Sequence, residues 1–307
     1  MKILFVNVEQ HIKNLIGFDL LLNYKPTEVI KTLDPSSFGE EYDLVIVSAG
    51  DKNGTIFFPS SFPKAKCIMY GPQFFSIPCE PWKGPAQTFP SFCFYNTLSP
   101  WVDAMCKEFG GLSLVTKQLP YPVDVDLFCP SDSEKPFDCF IYYKNRSKED
   151  ILYAIHRLQT LGLSHILVQY GHYHQDMYRK VLQQVRFGVW VGGHETQGFA
   201  LQEALSCNVP LAVWDVTSMF DEVNHLYENS YKDYSGTYKL AATTASYWDP
   251  CCGEIFTKKE EFDEAILKVS NHTVSYTPRE FILKTLSPKA CYERLEKVVS
   301  ELSKQTS

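Results

Sequence analysis

One stretch limits what this chain can fold into more than any other. Residues 187–215, FGVWVGGHETQGFALQEALSCNVPLAVWD, read as strand, glycine-rich turn, helix, stop and strand. Phe187 to Val191 is a short apolar run of valines and aromatics, the composition of a buried strand, and Gly192-Gly193 end it with permissive backbone. From Phe199 the pattern turns helical, with Phe199, Leu201, Ala204 and Leu205 apolar at mixed three and four spacing. Asn208 is expected to take the left-handed conformation that follows a helix, and Pro210 cannot continue one. Leu211 to Trp214 returns to strand.

A unit of this kind is half of a doubly wound α/β sheet, and such sheets bind ligands outside the carboxyl ends of their strands. Glu195 falls in that crevice. The amides of Gly198, Phe199, Ala200 and Leu201 open the helix without intrahelical partners, so they can hold a phosphate. Glu203 lies a turn further on, and helical side chains tilt toward the N-terminus, over the same pocket. The plainer alternative makes Glu195 an acid favoured near a helix start and Glu203 a solvated face residue. A phosphate-binding P-loop has the spacing of Gly193 and Gly198, but Phe199 and Ala200 stand where it needs Lys and Ser or Thr.

Glu195, seven residues, Glu203, then Ala204, Leu205 and Asn208-Val209-Pro210, resembles the E-x7-E signature of the retaining nucleotide-sugar glycosyltransferases of family four. Thr196 and Gln197 separate the first glutamate from Gly198, and Ala200 and Asn208 replace glycines of that signature, while the spacing of the glutamates is kept. The resemblance implies an α/β GT-B fold, two Rossmann-like domains with a ligand cleft between them. It further implies a first, acceptor domain over 1–128, a donor domain over 129–285 and a last helix, 286–307, that packs back toward the first domain.

The rest of the chain fits that division. Lys2 to Val8, Tyr42 to Ser48, Ala65 to Tyr70, Ser91 to Tyr95 and Leu114 to Leu119 read as strands, with helical or irregular sequence after the first and a helix over Trp101 to Phe109. Pro120 to Phe128 is a proline-stiffened exit from a sheet and resembles the P-x-x-V-D-x-x-x-F segment that leaves the first domain of the family. Asp138 to Tyr143 and Ser164 to Gln169 read as strands of the second domain, with helices over Lys148 to Leu161 and His174 to Arg186. Glu260 to Val269 and Lys289 to Leu302 are amphipathic. One strand-and-helix step usual in the family is missing before residue 187.

Lys144, Asn145, Arg146, Ser147 and Lys148 follow the first strand of that second domain. Three cations in five residues make either a solvated turn or a diphosphate clamp, and the neighbouring helix start favours the second. In the family a basic pair in this region contacts the donor diphosphate, a role the resemblance places on Lys144 and Arg146. It places Tyr170 and His172, in the turn after the next strand, near the nucleobase, and it puts the ribose on Glu203 and the donor sugar on Glu195. His172 and His174 lack a third metal ligand, and no metal is expected. Asp215 to Met219 leaves a strand beside the same crevice and is a candidate for sugar or acceptor contacts; the tyrosine-rich segment through Cys252 reads as a surface loop.

A formal net charge of -7 opposes general binding to nucleic acid or anionic membrane. The ten cysteines show no CxxC or metal spacing, which suggests buried thiols in a reducing compartment, and a cytoplasmic protein is expected. No segment approaches a membrane span, leaving peripheral contact as the one membrane role open. The expected activity is transfer of a sugar, with retention and without metal, from a UDP- or GDP-sugar co-substrate to an unknown glycan or small-molecule acceptor, with no further cofactor. The alternatives are a nucleotide-sugar epimerase or another GT-B enzyme, and a catalytically silent nucleotide-sugar-binding module. His11 and Glu9 follow the first strand and are read as loop residues rather than as a base.

Overall fold

The computed structural model describes residues 1–6, 12–25, 28–48, 57–72, 89–109, 114–218, 221–222, 241–271 and 275–304. The chain divides into two compact units, Met1–Pro122 with Leu286–Ser307, and Val123–Thr285.

The first unit is built on six parallel strands: β1 (Lys2–Val6), β2 (Glu28–Thr32), β3 (Leu44–Val47), β4 (Ile68–Tyr70), β5 (Cys93–Asn96) and β6 (Val115–Lys117), in the order β2-β1-β3-β4-β5-β6. Strands buried on both faces must be apolar throughout, and β3, LVIV, is buried at every position. The edge strand β2, EVIKT, instead exposes Glu28 and Lys31, so its pattern never stood out from the surrounding irregular sequence. Helices α1 (Ile12–Leu22) and α2 (Pro100–Phe109) come from the first part of the chain. The last helix, α8 (Pro288–Ser303), packs on α1, with Lys25 bonded to Glu296 at 2.6 Å and lying over the Tyr292 ring.

The second unit carries five parallel strands: β7 (Phe137–Tyr143), β8 (His165–Gln169), β9 (Val185–Val191), β10 (Leu211–Trp214) and β11 (Gly253–Phe256). Their order, β11-β10-β9-β7-β8, is a doubly wound sheet whose direction of winding reverses between β7 and β9. Helices α3 (Lys148–Thr160), α4 (Gln175–Gln183), α5 (Phe199–Ser206), α6 (Phe262–Ser270) and α7 (Pro278–Thr285) complete it. Ile141, Val189, Ala212, Phe262 and Ile266 lie in one of its cores. Ser147 caps α3 by accepting from the Asp150 amide at 3.0 Å. Asn208 takes φ 58 behind α5, as a helix-stopping asparagine should.

The expected helix over His174 to Arg186 ends earlier, at Gln183, because β9 begins already at Val185. The units meet in sequence at 122/123, six residues before the expected boundary. Residues 123–128 group with the second unit because the Phe128 carbonyl accepts from Ser206 Oγ at 2.6 Å and from Arg279 at 3.1 Å. Glu9, His11 and Met219 lie outside the described residues.

Candidate functional site

The winding reverses between β7 and β9, the place where doubly wound sheets hold ligands, and two loops leave the sheet there at the carboxyl ends of those strands. Main-chain bonds join them: the Lys144 amide donates to the Val191 carbonyl at 3.2 Å and the Gly193 amide to the Lys144 carbonyl at 2.7 Å. Lys144 Nζ meets Glu195 Oε1 at 2.9 Å, with both side chains largely enclosed, at 15% and 16% exposure. The ammonium also lies 4.7 Å from the centre of the Tyr170 ring. Burial alone would depress the Lys144 ammonium, but the Glu195 carboxylate outweighs it and the net shift is upward, so the lysine is charged at neutral pH.

Arg146 lies beyond Asn145, whose φ of 52 turns the chain sharply, and it does different work from Lys144. Its guanidinium is buried, donates to the carbonyls of Gly192 at 3.5 Å and Trp214 at 3.4 Å, pairs with Asp150 at 3.3 Å and lies over the Trp214 ring. It therefore ties together the ends of β9 and β10 and adds fixed positive charge beneath the loop that carries Glu195.

Gly198 enters α5 at φ 84, a left-handed conformation open to glycine at little cost, with the Glu195 side chain against it. Gln197 and Gln202 bond to each other across this turn. Phe199 and Ala200 are half-buried at the start of the helix, and Leu201 is buried. The Ala200 carbonyl accepts from Tyr178 Oη at 2.8 Å, which fixes α5 to α4. Glu203 is 5% exposed, so it is a buried carboxylate and not part of a solvated face. Of the two residues expected in the next turn, Tyr170 stands under Lys144, whereas His172 is exposed and closes the turn with its backbone amide on Gln169. Tyr173, which no sequence signal marks out, packs its ring 5.1 Å from that of Tyr178. Its phenol is pushed above its ordinary range, first by burial and further by the charges of Glu203 and Glu195.

The loop carrying Glu195 is held from one side by residues much later in the chain. Thr243 accepts at its carbonyl from the Glu195 amide at 3.1 Å, Ser246 Oγ donates to the Glu195 carbonyl, and Thr244 Oγ1 donates to the Gly193 carbonyl at 2.9 Å. Asp215, at the end of β10, orders that clamp by accepting from Thr243 Oγ1 and from the Thr244 amide, both at 2.6 Å. Glu222 Oε1 accepts from the His194 amide at 2.6 Å and lies 2.5 Å from His194 Nδ1. Asp215 was expected near the site from its strand-end position, but Glu222, His194, Thr243, Thr244 and Ser246 were not. No helical or strand period links residues this far apart, and the cluster of hydroxyls around Thr243 was the one available signal.

This end of the sheet thus offers a charged ammonium, a buried guanidinium, the opening amides of a helix and two enclosed carboxylates that can accept from hydroxyls. Among the described residues, no group of three His, Cys, Asp or Glu could hold a metal ion, and no helix is long and apolar enough to cross a membrane.

No family model and no curated protein matches the chain by sequence. Solved structures do match by shape. AviGT4, a glycosyltransferase involved in avilamycin A biosynthesis, aligns with a TM-score of 0.60 at 13% identity over 99% of this chain and 98% of its own. HepE of Anabaena, solved with UDP and glucose, aligns at 0.56 and 12% identity over 98% and 100%. The lipopolysaccharide outer core galactosyltransferase WaaB aligns at 0.55 and 11% identity over 98% and 99%. With two parallel sheets of six and five strands, these likenesses show a two-domain α/β fold of the GT-B type.

Proposed function

We propose that the chain is a glycosyltransferase that takes a sugar from a nucleoside diphosphate, with retention of anomeric configuration and without a metal ion. The observation that carries this reading is the Lys144–Glu195 pair at the point where the parallel sheet reverses, beside the opening turn of α5. Glycosyltransferases among the fold neighbours, HepE with UDP and glucose bound among them, support the same class of substrate.

In this reading the donor diphosphate takes Glu195's place at Lys144 and accepts from the amides of Gly198 to Leu201. Arg146 adds positive charge from below without leaving its carbonyl partners. These groups stabilise the negative charge that builds on the diphosphate as the glycosidic bond breaks, the task that a divalent ion performs in other transferases. Glu195, released from the lysine, accepts from hydroxyls of the donor sugar, and Glu203 accepts from the ribose. Tyr170 and His172 lie toward the nucleobase. Attack from the side of departure lets the leaving phosphate take the acceptor's proton, so no separate base is required. The acceptor is a glycan or a small molecule.

A thermal-shift screen against UDP- and GDP-sugars, with and without magnesium, tests this directly. We expect stabilisation by one nucleotide class that is independent of magnesium and is lost in Lys144→Ala and Glu203→Ala. Absence of any shift in the unaltered protein would sink the reading. Binding without release of sugar in an acceptor screen would leave a silent nucleotide-sugar-binding module in its place.

A further inference from the structure

Glu222 is a carboxylate that the fold itself does not call for. It is 6% exposed, its side chain and that of His194 are enclosed at 5% and 13%, and one of its oxygens meets both the backbone amide and the ring Nδ1 of His194. Its carboxylate fills the space beside Gly193, where an added Cβ would stand 2.7 Å from the carboxyl carbon. Yet the loop's main-chain groups on either side already have partners in Thr243, Thr244 and Ser246. Enclosing a carboxylate costs free energy that a neutral acceptor for the His194 amide would not, which points to a role for Glu222 at the His194 ring as well as at its peptide.

The geometry also fixes the imidazole. With Glu222 as the acceptor, His194 donates from Nδ1, and the next residue in the chain is Glu195. Lys144 Nζ feels Glu222 as well as Glu195, which puts the dyad within electrostatic reach of the ammonium.

We propose that Glu222 and His194 form a positioning dyad for the transfer reaction: the carboxylate sets the ring and peptide of His194 and thereby fixes the backbone from which the Glu195 side chain, once released from Lys144, reaches the donor sugar. The proposal rests on the transferase reading above and deepens it. Misplacing a group that orients a substrate costs turnover more than ground-state affinity, because the alignment matters most as the bond breaks.

The test uses full-length protein. Long-range proton–nitrogen NMR on 15N-histidine-labelled protein should show His194 as the Nδ1–H tautomer, and Glu222→Gln should abolish that preference. With the donor found in the thermal screen, Glu222→Gln and His194→Ala should lower kcat by about tenfold or more while the donor KM and the affinity for its nucleoside diphosphate move by less than about threefold. His194→Asn, which keeps an N–H donor close to the position of Nδ1, should recover activity to within about threefold of the unaltered protein. Should Glu222→Gln fail to fold, the His194→Ala and His194→Asn pair still decides the matter. Wild-type kcat in His194→Ala, or an Nε2–H tautomer in the unaltered protein, overturns the dyad alone. An unaltered protein that neither binds nor turns over any nucleotide sugar overturns the transferase reading, and the dyad with it.

Discussion

Lys144 and Glu195 hold each other in a place where neither charge would be favourable alone. With most of both side chains out of water, removing the carboxylate strands the ammonium, and removing the ammonium strands the carboxylate. Lys144→Met should therefore cost roughly 3 kcal/mol of stability by urea denaturation at neutral pH. The sign of the pH dependence follows from the raised pKa of the lysine. Its contribution is complete below the ordinary value of 10.5 and fades as pH climbs through the higher value of the folded state, so the gap between the unaltered protein and Lys144→Met should narrow above pH 10.5. A gap that stays constant into the alkaline range would show that the pair contributes nothing through charge. Both residues could be singled out from sequence, each at a strand end that an apolar run announces, but their pairing could not. Glu222 could not, because its partner lies across a long connection and no spacing rule relates them. Arg146 was legible as a cation but not as one that spends its hydrogen bonds on the Gly192 and Trp214 carbonyls.

Helix α5 links that pair to the rest of its unit, and both of its ends are secured by side chains from elsewhere. Tyr178 holds the first turn through Ala200, and Arg279, one residue into α7, holds the last. The Arg279 guanidinium donates to Ser206 at 2.7 Å, Phe128 at 3.1 Å and Val125 at 3.2 Å, all three at backbone carbonyls. It thus places a positive charge at the end of α5 where the helix dipole is negative, and it anchors the incoming chain at 125–128 in the same grip. Arg279→Ala should cost about 3 kcal/mol, and Arg279→Lys should recover little of it, because one ammonium cannot reach three carbonyls in the plane of a guanidinium fork. Equal stability of the lysine variant and the unaltered protein in a chemical melt would refute the fork argument. The elements around the site were legible where they were buried on both faces or amphipathic: β7, β9, β10 and α5 come within two residues of their sequence bounds, and β10 coincides with them. The strands β2 and β11 and the helix α7 were not legible. β2 exposes Glu28 and Lys31, and β11 is four residues long with Ile255 exposed, so neither shows a continuous apolar run. α7 is two turns long, and its sequence, PREFILKT, is too short to establish a period.

At the scale of the molecule, the division of the chain is uneven. The second unit is one continuous stretch, whereas the first is assembled from both ends of the sequence. That difference predicts different behaviour on dissection. Fragment 123–285 keeps every strand of its sheet, the Lys144–Glu195 pair and the Arg279 anchor, so it should unfold cooperatively. Fragment 1–122 loses α8, whose Cys291, Tyr292, Leu295, Val298, Val299 and Leu302 are buried in the intact protein. It also loses the Lys25–Glu296 and Lys117–Glu301 pairs. Its α1 would be left without the helix that packs on it, and it should remain aggregation-prone or molten until a peptide spanning 286–304 is supplied. Circular dichroism melts of the two fragments, with the peptide added to the first, check both outcomes. If the donor nucleotide is held by the second unit's own residues, the nucleotide found in the thermal screen should raise the melting temperature of fragment 123–285 as well as that of the intact chain. A cooperative melt of 1–122 without the peptide would show instead that α8 is an appendage, and that the first unit's stability resides in its sheet alone.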